Sequence, residues 1–191
     1  MASELEVEPR HDDLNVNGWQ MTKHCTSYRV VCWSADWPGQ RKQVTSRYSV
    51  NIVRLDIRQH EEIAHVNHYH TSVYVTDTQV LVPREYTNKR KRISGFDDYS
   101  IRATLYVNAL TGDLLNKAYI LAFLLVYAET RVKLAESRVD ISNINEHWYP
   151  QHQEYIRSLE RILNSIPETV REIASKIYDD TSTLRPGSRY T

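Results

Sequence analysis

An α+β fold is what the amino-acid order predicts, with an antiparallel sheet in the N-terminal two-thirds and two or three C-terminal helices packed on one face. Three observations predict it. Apolar residues recur at every second position over several stretches between Cys25 and Val107, the spacing of half-buried strands. After Thr111-Gly112-Asp113 the apolar period lengthens and good helix formers take over. Strands followed by helices, rather than alternating with them, mark an architecture in which the two are segregated. At 191 residues the chain suits one domain with its own core, and hydrophobic and charged fractions of 41% and 25% are those of a globular protein.

Residues 1–24 carry Glu4, Glu6, Glu8, Pro9, Asp12 and Asp13 with few large apolar side chains, which predicts a flexible N-terminal arm ahead of a single domain spanning 25–180. Tyr28, Val30 and Cys32 fall on one side of an extended stretch. Ser46, Tyr48, Val50 and Ile52 repeat that pattern after the turn at Trp37-Pro38-Gly39-Gln40, so two strands of a hairpin or meander are expected. Val53, Leu55 and Ile57 continue on the opposite parity, as a bulge or a strand buried on both faces would require. Further strands are expected at Tyr69, Thr71, Val73 and Val75, and at Val80-Leu81-Val82, where Pro83 ends the ladder. Tyr99, Ile101, Ala103, Leu105 and Val107 alternate most cleanly of all with polar neighbours and predict one more strand.

Thr111 or Asp113 can cap the long helix that follows, which runs to about Ser137. Its segment from Ala118 to Ala128 is apolar around the whole circumference, so it is expected to be the central helix lying across the sheet. A last helical region places Tyr155, Leu159, Ile162, Leu163, Ile166, Val170, Ile173, Ala174 and Ile177 on one stripe. Pro167 divides it, and Ser165 with Glu168 has the spacing of a capping box. Residues 181–191 return to tail chemistry.

Composition removes several functional classes. Basic and acidic residues balance at 24 each, so any attraction to phosphate must be local. Cys25 and Cys32 have no partners at zinc-finger spacing, which fits a reducing, intracellular compartment. The acidic N-terminus lacks the order of a secretion signal, and the apolar run at 118–128 falls short of the roughly 20 residues needed to span a bilayer. Glycine-rich phosphate loops, dinucleotide fingerprints and the Gly-x-Ser-x-Gly elbow are missing from a chain with five glycines. No cofactor and no small-molecule substrate is expected.

Two polar clusters stand out. His60, His65, His68 and His70 lie beside Glu61 and Glu62; His68 and His70 share one side of an extended segment, and with His65 they could ligate a divalent metal for hydrolysis. The plainer reading is surface histidines, since no His-Glu-x-x-His pattern is present. Arg84, Lys89, Arg90, Lys91 and Arg92, with Tyr86 interleaved, form a basic run between predicted elements. Four consecutive like charges stay solvated unless a polyanion is at hand, so RNA, a nucleoprotein, an acidic membrane surface or an importin are the candidate partners, against a merely solvated loop. Seven-residue steps at Leu159, Ile166 and Ile173 offer an interface to a second chain, or packing on the chain's own domain.

The acidic arm, the Tyr- and His-rich sheet between Tyr28 and Val107, and the closing helices of a glycine-poor chain together resemble the matrix proteins of plant rhabdoviruses. That resemblance implies a non-enzymatic viral structural protein of the host cytoplasm and virion. Such a protein self-associates, binds the nucleocapsid and lies against the inner face of the envelope, with the basic run as nucleocapsid or lipid contact. The zero net charge and the lack of Pro-Pro-x-Tyr and Pro-Thr/Ser-Ala-Pro budding motifs depart from the pattern. An adaptor or suppressor acting only through protein contacts is the other non-enzymatic reading.

Overall fold

A computed structural model describes the backbone of residues 6–36, 40–59, 69–82 and 96–179, and the side chains of residues 16–25, 51–59, 69–82 and 98–178. An antiparallel meander of β1 (Glu6–Val16), β2 (Trp19–Asp36), β3 (Gln40–Gln59), β4 (His70–Val75) and β5 (Val80–Leu81) forms one sheet in sequential order. Helices α1 (Phe96–Ala109), α2 (Leu114–Asp140), α3 (Tyr149–Ser165) and α4 (Glu168–Asp179) follow, with a short 3₁₀ turn at Glu146–Trp148 leading into α3. The fold is α+β as expected, though the described sheet ends at Leu81 and its place further on is taken by α1.

The N-terminal segment is not a loose arm where it is described. β1 pairs antiparallel with β2, and Trp19, at 1% exposure, belongs to the core. The reason is the turn between them. Asn17 and Gly18 both have positive φ, 49° and 81°, as the two central residues of a type I′ hairpin require. A ladder of backbone hydrogen bonds then holds β1 without a large apolar content. Residues 181–191 lie outside the described residues.

The second correction concerns residues 99–107, which form most of α1 rather than a strand. Successive helical residues turn by about 100°, so a string apolar at every second position makes two opposite stripes on a helix. One stripe, Tyr99, Ala103 and Val107, is fully buried against the core. The other, Ile101 and Leu105, is exposed at 52% and 66%.

The parity change at Val53 has no bulge behind it. The β2–β3 register is unbroken from Trp19 opposite Gln59 to Val31 opposite Arg47, and shifts only beyond Val31. Leu55 and Ile57 face the helices while Asp56, between them, is buried on the other side among polar partners.

Helix α2 is central, as its all-round apolar segment demands. It packs on β3, β4 and β5 and on all three other helices, and every residue from Leu121 to Ala128 is buried. Asp113 caps it, its carboxylate accepting from the Leu115 amide at 3.1 Å. Phe123 meets the edge of Trp19 at a centroid distance of 5.4 Å, and Tyr69 and Thr130 join their hydroxyls at 2.8 Å. Trp19 also donates its indole N–H to Ser165 Oγ at 2.7 Å, tying the first turn of the sheet to the end of α3. Ser165 donates in turn to the Ile162 carbonyl. Its hydroxyl is therefore not the cap of α4, although the break at Pro167 falls where expected: the Pro167 carbonyl accepts from Arg171 N.

At the far edge of the sheet, α1 closes β5 with one side chain. The Val80 amide donates to Asn108 Oδ1 at 2.9 Å, and Asn108 Nδ2 donates to the Val80 carbonyl at 3.1 Å. The carboxamide thereby does for Val80 what a sixth strand would do.

Candidate functional site

Cross-strand register sorts the side chains of β2, β3 and β4 onto two faces, because directly opposed residues in an antiparallel sheet point the same way. Met21, Ile57 and Thr71 form one row, and Lys23, Leu55 and Val73 the next, on the face whose buried members join the helical core. The opposite, outer face carries three other rows. They are Gln20, Arg58 and His70; then Thr22, Asp56 and Ser72; then His24, Arg54 and Tyr74.

The middle of this outer face is a polar network centred on Asp56, which is only 4% exposed. One carboxylate oxygen accepts the hydroxyl of Ser72, its direct neighbour on β4. The other lies 3.1 Å from His24 Nε2 and 3.3 Å from Arg54 Nη2. The register explains the geometry, since His24 stands opposite Arg54, two residues along β3 from Asp56 on the same side. Burying a carboxylate is costly unless it is paired and hydrogen-bonded, and here both oxygens are engaged.

The trio of Ser72, Asp56 and His24 invites comparison with a hydrolytic triad, and its order answers it. In a nucleophilic relay the imidazole stands between hydroxyl and carboxylate, so that it can take the hydroxyl proton. Here the carboxylate stands in the middle and Ser72 donates to it directly. The arrangement ties three strands together and leaves the imidazole with no link to the serine.

Around this knot the outer face is basic. Arg58 and His70 are exposed, and the Arg54 side chain keeps 43% of its surface in solvent while its Nε is buried without a partner among the described residues. Arg54 and Arg58 against Asp56 leave one formal positive charge with both histidines neutral and three with both protonated. Tyr74 adds an aromatic ring in the row of Arg54.

The residues singled out from the sequence are placed unevenly. Arg84, Lys89, Arg90, Lys91 and Arg92 lie outside the described residues, in the connection from β5 to α1. His60, His65 and His68 also lie outside them, while His70 is an exposed residue at the start of β4. Among the described residues no three His, Cys, Asp or Glu side chains converge as metal ligands, and no helix is long and apolar enough to cross a membrane. Leu159 and Ile166 are fully buried and Ile173 packs against the core, so the C-terminal stripe is spent on the chain's own domain. Pro167 kinks that stripe into two helices folded onto α2.

Sequence reasoning passed over Asp56, His24, Arg54 and Ser72, which are scattered over 49 positions with no local motif. No known protein family, curated protein or solved structure matches the chain.

Proposed function

We propose that this chain is a non-enzymatic structural protein of the matrix type, which associates with itself and docks on a polyanion, RNA within a nucleoprotein being the foremost. The observation that carries the reading is the outer face of the sheet. Among the described residues it presents Arg54, Arg58, His24 and His70 around one carboxylate, that of Asp56, whose charge offsets that of Arg54 and leaves Arg58 in excess. The solvent-exposed part of the Arg54 guanidinium, cross-strand from Tyr74, offers donors to a phosphate beside a ring on which a base can stack. The basic run of Arg84, Lys89, Arg90, Lys91 and Arg92 is a second candidate contact, on the grounds of its sequence alone. The resemblance to plant rhabdovirus matrix proteins supports this reading, and the proposal extends to the host cytoplasm and the virion, with acidic membrane as a second polyanionic surface.

The test is fluorescence anisotropy of a labelled single-stranded RNA titrated with the full chain over a series of salt concentrations. Affinity should fall steeply with salt, and Arg58→Glu should weaken binding and lower the slope of log K against log salt by about one. Replacing Lys89, Arg90, Lys91 and Arg92 with Ala should lower it further. Binding that is insensitive to salt and to both variants, with circular dichroism unchanged, would refute the polyanion reading. The same titration with acidic vesicles ranks lipid against RNA.

A further inference from the structure

The second apolar stripe of α1 joins no core contact among the described residues. Asp98, Ile101, Arg102, Leu105, Tyr106 and Ala109 are exposed on successive turns, whereas Tyr99, Ala103 and Val107 already supply the helix with its core contacts. Leu105 is 66% and Ile101 52% exposed, with Tyr106 beside them at 37%. We propose that this face is where two copies of the chain meet, their α1 helices antiparallel about a two-fold axis at the level of Ala103. The inference rests on the self-association part of the function proposed above and is independent of the polyanion part.

A second copy is singled out by the spacing of the groups. Ile101 and Leu105 lie two residues either side of Ala103, so a two-fold axis there sets Ile101 of each copy on Leu105 of the other. Asp98 lies five residues before Ala103 and Asn108 five after it, about 15 Å apart at the rise of an α-helix. The Asn108 carbonyl is where the Lys117 ammonium stands, at 3.4 Å. The same axis therefore brings the exposed Asp98 carboxylate of each copy toward the Lys117 ammonium of the other, twice over. Antiparallel helices also set the positive N-terminal end of one against the negative C-terminal end of its mate. The contact is small, so the association should be reversible and concentration-dependent.

Sedimentation velocity on the full chain across a hundredfold range of concentration tests this. The wild-type chain should pass from monomer to dimer. Leu105→Glu puts two carboxylates near the axis and should raise the dimer Kd by at least about tenfold with an unchanged circular dichroism spectrum, since the position is exposed. Asp98→Lys and Lys117→Asp should each weaken the dimer, and combining them should restore it. If the chain associates but ignores Leu105→Glu and the charge swap, the α1 surface is the wrong one while self-association stands. If the wild-type chain stays monomeric throughout, self-association itself falls, and this inference with it.

Discussion

Tyr99 lets the packing be tested on a single oxygen atom. Its ring is fully buried in the first turns of α1, tilted against Tyr178 at 6.2 Å, and its hydroxyl has no hydrogen-bond partner among the described residues. A buried hydroxyl left unpaired costs about 1–3 kcal/mol. Tyr99→Phe removes that penalty and vacates a volume of one small atom, which at roughly 24 cal/mol per Å³ takes back only about 0.3 kcal/mol. The variant should be more stable by about 1–2 kcal/mol, seen as a higher urea midpoint at unchanged m. A second arm uses pH. Burial, and then the neighbouring Tyr127 and Tyr178, push the Tyr99 phenol far above its ordinary value. With the folded pKa raised, the contribution is complete below the unfolded value near 10 and is lost as pH rises above it, because only the unfolded chain then releases the proton. The wild-type protein should therefore lose up to about 1.4 kcal/mol per pH unit above pH 10 through this one group, and Tyr99→Phe should lack that share of the slope. A variant less stable by about 1 kcal/mol or more at neutral pH would show that the hydroxyl is bonded after all, and the reasoning would fail.

Two further outcomes follow from the sheet. Asp56→Ala strips Ser72, His24 and Arg54 of their shared acceptor, and should lower stability by about 1–3 kcal/mol; the lower half of that range is favoured because Arg54 and His24 reach solvent. Urea unfolding measures it, and a neutral result would mean that the carboxylate is not needed to join the strands. Asn108→Ala leaves the amide and carbonyl of Val80 unpaired, and should cost about 2–3 kcal/mol and speed hydrogen exchange at the Val80 amide. Unchanged exchange there would place another partner on that edge.

Several elements are legible from local chemistry alone. The helix at 118–128 has no polar side to show to water, so its central place is forced; the cap at Asp113 and the break at Pro167 are equally local. α1 is not legible in this way. A string apolar at 99, 101, 103, 105 and 107 is one face of a strand or two opposite stripes of a helix, and only packing against α2 decides between them. β1 was hidden by its polar side chains, although Asn17-Gly18 is the strongest short hairpin signal in the chain and marks it. The Asp56 network depends on which residues of β2, β3 and β4 stand opposite one another. That register is set by the partition of apolar side chains between the two faces, which does not show up as a motif.

The Asn108 carboxamide also bears on how the molecule can aggregate. A sheet open at both ends can add copies head to tail without limit, which is how fibres grow. Here the Val80 backbone is stoppered by a side chain, whereas β3 runs past the last residue of β4 that pairs with it, so its residues 40–52 face no strand on that side among the described residues. Growth from the β5 edge is refused at Val80, and any strand-to-strand joining of copies falls instead to the long β2–β3 hairpin, where it outruns its neighbours.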